Sequence, residues 1–448
     1  MSSSSHLGAP SWRFWAARWG VVLFFTLGCS SQDPDGAGGA GGAGGVTSLG
    51  GKGGTDAGGG QSGANAAPGG AAGAGTGGLP QAGTAGTGAS AGLEGRPGGA
   101  GGAGGAGGSA GVGGPQGGQG GSIGPSMPSV HYVGRVDTSG SSARFAWSGT
   151  GAVVRFNGTT VSVDLGGGQE YTVVVDGTVG PKLTAMDGTN KLAQGLASGE
   201  HTVELYRRTE ASQGESEIRG FDFGGGTLLS PPQVTRRLEF IGDSITCGYG
   251  NEGANASCGF TPQTENHYLS YAALTARELH AELSTVAWSG KGVVCNYGDD
   301  ASSCTDPFPT YYDRILPNRV DSAWDYARFQ PDAVVINLGT NDLSTNSDPD
   351  QASFEAAYKD LLKRVRQHYP SAHILCTNGP LLSGTDLVNA RRYIQDVVTS
   401  LADPKISSFE IATQDGSDGY GCDSHPSLAR HQKMASVVTA ALKAALGW

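Results

Sequence analysis

Arg237-Leu-Glu-Phe-Ile-Gly-Asp-Ser-Ile-Thr-Cys-Gly-Tyr-Gly250 is the segment from which the fold can be predicted. Its apolar residues at 238–241 predict a short buried strand that ends at Gly242, and Ser244 follows at once. Ligands bind at the carboxyl ends of the strands in an open α/β sheet, so a serine here can point its hydroxyl into a crevice. Gly-Asp-Ser is also common in ordinary turns. Residues further along the chain decide between a turn and a nucleophile.

The chain after the two prolines at 231–232 alternates between strand-like runs and amphipathic helical patterns. The predicted strands are 238–241, 284–288, 333–338, 373–377 and 407–411. The predicted helices are 266–283, a pattern containing 354–365, 387–401 and 428–446. This alternation indicates a parallel sheet with helices on both faces.

The segment 128–230 has a different pattern, with apolar residues in short β-branched runs. The clearest runs are 153–156, 161–165, 171–175 and 201–206. The pairs Asn157-Gly158, Asp176-Gly177 and Ser198-Gly199 predict turns between them. Several strands at short spacing predict a small all-β sandwich, in the form of a jelly roll. Such a domain either packs against its neighbour or binds carbohydrate.

The first 29 residues are typical of an export signal. A short apolar run follows Arg13 and Arg18 and leads to Gly28-Cys29, and the run is too short to span a bilayer. The Gly-Cys ending resembles a bacterial lipobox, although Thr26 stands where leucine is usual. We therefore predict a lipid at Cys29, which would anchor the protein to the bacterial cell envelope, at the outer membrane or cell surface. Signal cleavage nearby, with loss of Cys29, is the alternative.

Residues 30–127 hold more than half of the 78 glycines of the chain, together with mostly Ala, Ser and Thr. Such a segment cannot bury enough apolar surface to offset the entropy lost on ordering. We therefore predict a disordered tether between the export signal and the folded domains.

Residues with polar groups that packing does not need follow several predicted strands. Ser244 follows the first, Gly290 the second and Asn341 the third, and His425 precedes the last predicted helix. A serine hydroxyl needs a base to take its proton, and histidine is the usual base near neutral pH. The N–H of Gly290 and the amide of Asn341 can donate to the tetrahedral oxyanion. Of the nine histidines, we select His425 because it lies in a predicted loop at this edge.

Four sequence blocks resemble those of the SGNH hydrolases, also called GDSL esterases. They are Gly242-Asp-Ser-Ile, Ser289-Gly290, Gly339-Thr-Asn-Asp342 and Asp423-Ser-His425. The segment Ser289-Gly-Lys-Gly292, with the preceding all-β domain, is most similar to carbohydrate esterase family 2. The resemblance implies a flavodoxin-like, three-layer hydrolase domain at 231–448 after a jelly roll at 128–230. It also implies a serine esterase that removes O-acetyl groups from plant polysaccharides such as xylan or glucomannan.

The resemblance implies a role for each site residue. Ser244 would be the nucleophile and form an acetyl-enzyme, with His425 as general base. Gly290 and Asn341 would form the oxyanion hole, and Tyr297 would be a platform for a sugar ring.

One position departs from the superfamily pattern. The superfamily usually has an aspartate three residues before the histidine, where this chain has Cys422, and Asp423 stands two residues before it. Either Asp423 orients His425, or a backbone carbonyl does so and leaves a Ser–His dyad. We favour the dyad, in which Asp423 would be a carboxylate that caps the loop.

Six cysteines remain after Cys29, and export makes disulfides permissible. The sequence cannot choose among the pairings. We favour Cys247–Cys258 and Cys295–Cys304, which close short loops.

The composition argues against several other classes of protein. The formal net charge is −11, and the 29 Lys and Arg residues form no dense cluster, so we expect no nucleic-acid partner. No metal-binding spacing is present, and we expect no metal, no cofactor and a monomer. A lipid or aryl ester hydrolase of the same superfamily is an alternative function. A non-catalytic glycan-binding protein at the cell surface is another, although a binder needs no base beside a serine.

Overall fold

A computed structural model describes residues 129–300, 302–345 and 348–448 of this chain. The predicted export signal, the lipid site at Cys29 and the tether at 30–127 lie outside the described residues and stay predictions. Within the described ranges, no helix is both long enough and apolar enough to cross a membrane.

The first half of the described chain is an antiparallel all-β domain, as predicted. Its strands are β1 (His131–Val133), β2 (Ala143–Phe145), β3 (Gly151–Gly166), β4 (Glu170–Val175), β5 (Thr178–Val179), β6 (Leu183–Thr184), β7 (Gly188–Arg207), β8 (Ser216–Asp222) and β9 (Thr227–Leu229). They pair in the order β2-β8-β3-β7-β4-β5, with β1 and β9 added to β3, and β6 to β4. Phe145, Phe156 and Tyr171 lie in their buried core. The jelly-roll topology stays a prediction.

The two longest strands show that two of the turn predictions are wrong. Asn157-Gly158 lies inside β3 and Ser198-Gly199 inside β7, and Gly158 pairs directly with Gly199. The register between the strands shifts next to this pair. The glycines therefore mark an irregularity within a long ribbon and not a reversal of the chain. Asp176-Gly177 does form the turn between β4 and β5.

The second half is built around a parallel sheet. Its strands are β10 (Arg236–Gly242), β11 (Ala281–Ala287), β12 (Ala333–Asn337), β13 (His373–Thr377) and β14 (Ile406–Ser408). Its helices are α1 (Ser244–Cys247), α2 (Tyr271–Glu278), α3 (Thr340–Leu343), α4 (Gln351–His368), α5 (Gly384–Leu401) and α6 (Leu428–Leu446). The strand order is β11-β10-β12-β13-β14, which is the flavodoxin-like order.

The sheet residues enter two separate cores, because successive side chains of a strand point to opposite faces. Ile241 and Ile336 pack with residues of α4 and α5 on one face. Phe240 and Val335 pack with residues of α2 and α6 on the other. Three layers result, and the predicted flavodoxin-like, three-layer class of this domain is confirmed. The segments that follow β10, β11 and β12 emerge at one edge of the sheet.

The helix predicted at 266–283 is shorter in the structure. Ser270 caps α2 by accepting a hydrogen bond from the Ala273 N–H, and α2 ends at Glu278. His280 then has a φ of 52°, a left-handed conformation typical of helix ends. Residues 281–283 begin β11 instead.

A buried ion pair joins the two halves. The Arg135 guanidinium donates a hydrogen bond to the Glu239 carboxylate on β10 at 3.3 Å, and both side chains are fully buried. Glu239 also accepts hydrogen bonds from the hydroxyls of Tyr312 and Tyr369, at 3.0 and 2.9 Å. A buried charge is costly unless it is paired and hydrogen-bonded, so these contacts compensate for the burial. The ion pair and its hydrogen bonds therefore link the all-β domain to the parallel sheet.

Candidate active site

Ser244 lies directly after β10, as the first residue of α1. Asp243 caps that helix by accepting a hydrogen bond from the Ile245 N–H at 3.0 Å. The turn has no room for a side chain at Gly242, because an added Cβ would lie 2.0 Å from the Thr246 hydroxyl oxygen. The Gly-Asp-Ser sequence thus fits a sharp strand-to-helix turn, in which Ser244 keeps 6% of its surface exposed.

His425 lies in the loop before α6, and its Nε2 is 2.9 Å from the Ser244 Oγ. Its Nδ1 is 3.2 Å from the main-chain carbonyl oxygen of Asp423. A proton on Nδ1 donates to that carbonyl, which leaves Nε2 free to accept the serine proton. Burial lowers the pKa of His425, and the Asp423 carbonyl and carboxylate oppose this with weaker raising effects. The imidazole is therefore neutral near neutral pH, as a base must be.

The Asp423 carboxylate is hydrogen-bonded away from the imidazole. Its Oδ2 accepts from the Tyr249 hydroxyl at 2.8 Å and from the Phe260 N–H at 3.0 Å. Asp423 and Ser424 both have left-handed backbone, with φ of 51° and 60°. This is the geometry of a Ser–His pair oriented by a main-chain carbonyl, with the aspartate side chain bracing the loop.

Two aromatic rings, those of Tyr249 and Phe260, form a stack next to the imidazole of His425. The Tyr249 ring lies 4.2 Å from the His425 ring between centres, tilted by 33°, and it stacks against the Phe260 ring at 4.3 Å. Both aromatic residues belong to the loop that follows Ser244. The loop of the serine therefore also restrains the histidine ring, a role that the sequence did not indicate.

A disulfide joins this loop to the histidine loop, and it corrects one predicted pairing. Cys258 bonds to Cys422 and not to Cys247. Cys247 is a free cysteine in α1 and is fully buried in the core. Cys422 occupies the position where the superfamily usually has its aspartate, so a covalent link replaces a carboxylate there. The other predicted pair, Cys295–Cys304, is confirmed.

We expect the Cys258–Cys422 disulfide to stabilise the protein more than the Cys295–Cys304 disulfide. The paired cysteines are 164 and 9 residues apart in sequence. Closing the longer loop removes more entropy from the unfolded chain, with a predicted stabilisation of about 5 against about 2.5 kcal/mol. Urea unfolding of the two double serine variants, without reductant, measures both losses. An equal or larger loss on removal of Cys295–Cys304 would contradict this expectation.

Gly290 lies in the loop after β11, and Asn341 lies in the short helix α3 just after β12. These two strands flank β10. The register is aligned, because Gly242 pairs with Ala287 on β11 and with Asn337 on β12. Gly290 has a φ of 78°, a conformation that favours glycine. The Asn341 side-chain amide donates to the Lys291 carbonyl at 2.9 Å, which holds it beside the Gly290 loop. The structure therefore brings Ser244, Gly290 and Asn341 to one edge of the sheet.

Asp342 holds the loop beyond Gly290 in place. Its carboxylate accepts hydrogen bonds from three successive backbone N–H groups, at 2.7 to 3.0 Å, those of Val293, Val294 and Cys295. Burial raises the pKa of Asp342 to about 6, against the lowering effect of these three donors. It raises the pKa of Asp243 to about 7, against the lowering effect of the Ile245 N–H. Both aspartates therefore bond to the main chain of the segments that carry the site residues.

Tyr297 extends from the same loop. Its N–H donates to the Gly290 carbonyl at 2.8 Å, and the Cys295–Cys304 disulfide closes the loop around it. Its side chain is 65% exposed. An exposed aromatic ring in the loop after Gly290 can offer a flat face to a ligand.

Other potential binding features lie apart from these residues. A cavity of about 460 Å³ lies between the all-β domain and α2, and Tyr206, Tyr268 and Arg277 are among the residues that line it. No group of three or more His, Cys, Asp or Glu residues in the described ranges is arranged to hold a metal ion.

The chain matches two family models. Residues 132–232 match the model described as carbohydrate esterase 2 N-terminal, and residues 240–433 match that of the GDSL-like lipase/acylhydrolase family. The two matched segments correspond to the all-β domain and to the parallel-sheet domain.

Curated proteins and solved structures agree with these matches. The cellulase/esterase CelE of Acetivibrio thermocellus is 47% identical over 328 residues, which cover 71% of this chain and only 39% of that protein. An acetylxylan esterase/glucomannan deacetylase of Cellvibrio japonicus is 30% identical over 60% of this chain and 73% of its own length. A solved structure of a family two carbohydrate esterase from Clostridium thermocellum, in complex with cellohexaose, is 45% identical. It covers 71% of this chain and 100% of its own, with a TM-score of 0.68.

Proposed function

Because the chain belongs to carbohydrate esterase family 2 and is a carboxylic ester hydrolase, we propose that it removes O-acetyl groups from plant polysaccharides such as xylan or glucomannan. The observation that carries the proposal is the 2.9 Å contact between the Ser244 Oγ and the His425 Nε2. A serine with a neutral base in hydrogen-bonding contact, next to oxyanion donors, is equipped for acyl transfer.

In the first half of the reaction, Nε2 of His425 takes the hydroxyl proton as the Ser244 Oγ attacks the acetyl carbonyl carbon. The carbonyl oxygen becomes an oxyanion and accepts hydrogen bonds from the Gly290 N–H and the Asn341 amide. The imidazolium that forms is stabilised through Nδ1 by the Asp423 carbonyl, 3.2 Å away. The tetrahedral intermediate collapses, the sugar oxygen leaves with the proton from His425, and an acetyl ester remains on Ser244.

In the second half, a water molecule replaces the sugar. His425 takes a proton from the water, which attacks the acetyl carbon, and the same donors stabilise the second oxyanion. Acetate leaves as Ser244 recovers its proton. The ring of Tyr249, packed against the imidazole, restrains His425 while it exchanges protons with Ser244 and with the leaving group.

The substrate class is supported by the relatives and by Tyr297. One relative is named for acetylxylan and glucomannan, and a similar structure holds cellohexaose, a chain of glucose units. We propose that Tyr297 stacks against a sugar ring of the polysaccharide, because its ring is exposed and its backbone touches Gly290.

Acetate release from acetylated xylan and glucomannan, compared with hydrolysis of acetyl, butyryl and octanoyl nitrophenyl esters, tests the proposal. We expect acetate release from the glycans, and a rate at least about tenfold lower for butyryl than for acetyl esters. The reason is our inference that the loops cross-linked by Cys258–Cys422 and Cys295–Cys304 restrict the space beyond the acetyl group. A rate that stays flat or rises towards octanoyl would favour a lipid or aryl ester hydrolase. Glycan binding without ester hydrolysis would favour the glycan-binding alternative.

Replacement of Asp423 distinguishes a dyad from a triad. Asp423→Ala should lower kcat about 10- to 100-fold, because the Tyr249 and Phe260 bonds that brace the loop are lost while the orienting carbonyl remains. Asp423→Asn, the control, keeps an acceptor oxygen and should lose less than about tenfold, whereas the same change in a true triad costs about 10⁴. A loss in Asp423→Asn that matches His425→Ala, in a folded protein, would show that the carboxylate orients the base.

The pH dependence of kcat/KM reports the pKa of the general base in the free enzyme. Burial lowers the pKa of His425 below 6.5. Its imidazole therefore becomes protonated at a lower pH than the imidazole of a free histidine does. Activity should therefore rise with pH through a midpoint below 6.5 and then level off. Asp243, whose pKa is about 7, titrates nearby, and Asp243→Asn should leave the midpoint unchanged. A midpoint above 7 that Asp243→Asn removes would assign the rising limb to Asp243 instead.

A further inference from the structure

A carboxylate from the all-β domain reaches the oxyanion loop, which we define as residues 289–295 around Gly290. Glu210 lies between β7 and β8, and its side chain is 2% exposed. Its Oε2 accepts a hydrogen bond from the Ser289 N–H at 2.7 Å. Ser289 immediately precedes Gly290, and its carbonyl carbon forms the peptide bond to the Gly290 nitrogen. The contact with Glu210 therefore restrains one side of the Gly290 N–H. The same oxygen lies 3.9 Å from the Cys247 thiol, in the helix that begins with Ser244.

The oxyanion loop is thus held from both sides of Gly290. On the far side, Asp342 and the Asn341 amide bind the main chain between Lys291 and Cys295. On the near side, Glu210 binds the main chain at Ser289. The conformation of Gly290, with its φ of 78°, depends on the placement of both flanking segments.

The backbone around Glu210 is itself fixed. Arg207, which is fully buried, donates to the carbonyl oxygens of Thr209 and Glu210, at 2.9 and 2.7 Å. The Glu210 N–H donates to the carboxylate of Glu265, which is also buried, at 3.2 Å. Burying two carboxylates together is costly, and burial raises the pKa of both. Packing alone requires no carboxylate at position 210. The hydrogen bond from the Ser289 N–H is a contact that an apolar side chain could not make.

We propose that Glu210 is a positioning residue for the oxyanion hole, through which the all-β domain fixes the direction of the Gly290 N–H. The inference rests on the proposed function, because it assumes that Gly290 donates to the oxyanion. It gives the all-β domain a part in catalysis that requires no contact with substrate.

Two substitutions of similar size test the proposal. Glu210→Gln keeps an oxygen that can accept from the Ser289 N–H, and we expect kcat to fall less than about tenfold. Glu210→Leu has no acceptor, and we expect kcat to fall about 10- to 100-fold through misplacement of the Gly290 N–H. KM for nitrophenyl acetate should change less than about twofold in both, because ground-state binding is unaffected.

A merely structural role predicts a different result. In that case Glu210→Leu lowers the unfolding temperature and leaves kcat of the folded enzyme unchanged. Arg135→Met is the matched control, because it removes another buried contact between the two domains. Arg135 bonds to Glu239 and to neither Gly290 nor Asn341. It should lower stability and keep kcat. Affinity for an alkylboronic acid, which forms a tetrahedral anion on the serine, should fall in Glu210→Leu by the same factor as kcat/KM.

Hydrogen exchange of the wild-type enzyme tests the proposal without any substitution. The Ser289 amide should exchange slowly, as a buried bonded donor does, and exchange as fast as in a free loop would overturn the proposal. Unchanged kcat and boronate affinity in folded Glu210→Leu would also overturn it, as would a loss in Glu210→Gln equal to that in Glu210→Leu. In each case wild-type esterase activity would persist, whereas failure of the proposed function would appear as no ester hydrolysis by the wild type.

Discussion

Replacement of Ser244 or His425 by alanine should lower kcat on acetyl esters by about 10⁴-fold or more, because neither residue can act without the other. The serine hydroxyl is a weak nucleophile until Nε2 takes its proton, and the two atoms are 2.9 Å apart. Initial rates on nitrophenyl acetate, with folding verified by circular dichroism, measure the loss.

The double variant shows whether Ser244 and His425 act as one unit or contribute independently to kcat. Groups that act as a unit are not additive, so Ser244→Ala/His425→Ala should be little worse than either single variant. His373→Ala is the control, since this partly exposed histidine lies at the start of β13, at the opposite edge of the sheet. It should keep nearly full activity. A Ser244→Ala enzyme that retains more than about a tenth of wild-type kcat would show that the nucleophile is another residue.

Asn341→Ala should lower kcat by about 10²- to 10³-fold, the usual cost of losing one oxyanion donor. The Asn341 amide bonds to the Lys291 carbonyl and lies 3.5 Å from Asp243, so it is held rigidly before substrate arrives. KM should change little, because the developing oxyanion needs this donor far more than the ground-state carbonyl does.

Asn378 provides the matched control. It is a buried asparagine directly after β13, and its amide donates to the neighbouring Gly379 carbonyl. Asn378→Ala should cost less than about tenfold in kcat, because this amide donates within its own loop. Equal losses in the two variants would mean that Asn341 acts through stability of the sheet edge and not through the oxyanion.

Much of the fold and of the site could be predicted because both depend on local pattern. The strand before Ser244 and the strand before Asn341 are short apolar runs that end in polar residues, and parallel strands place such ends together. The long helices α4, α5 and α6 have regular apolar faces. Conformations that interrupt a pattern were harder to predict, such as the left-handed His280 that ends α2 early.

The orientation of the site could not be predicted in the same way. The direction of the Asp423 carboxylate depends on its left-handed backbone and on Tyr249 and Phe260, which lie more than 160 residues earlier in the chain. Cys258 pairs with Cys422 across a similar sequence distance. Glu210 belongs to a different domain, and nothing in its own sequence indicates that it binds the loop of Gly290. Long-range contacts of this kind leave no periodic pattern.

The central claim is that acetyl transfer passes through an ester on Ser244, and rapid-quench mass spectrometry of the enzyme tests it most directly. Enzyme mixed with an acetyl ester and quenched in acid should carry one acetyl group on the peptide that contains Ser244. The modification should be absent from Ser244→Ala and should disappear as the substrate is exhausted. Acetate release at the wild-type rate with no acetyl group on that peptide, in an assay that traps a known acetyl-serine enzyme, would contradict the account.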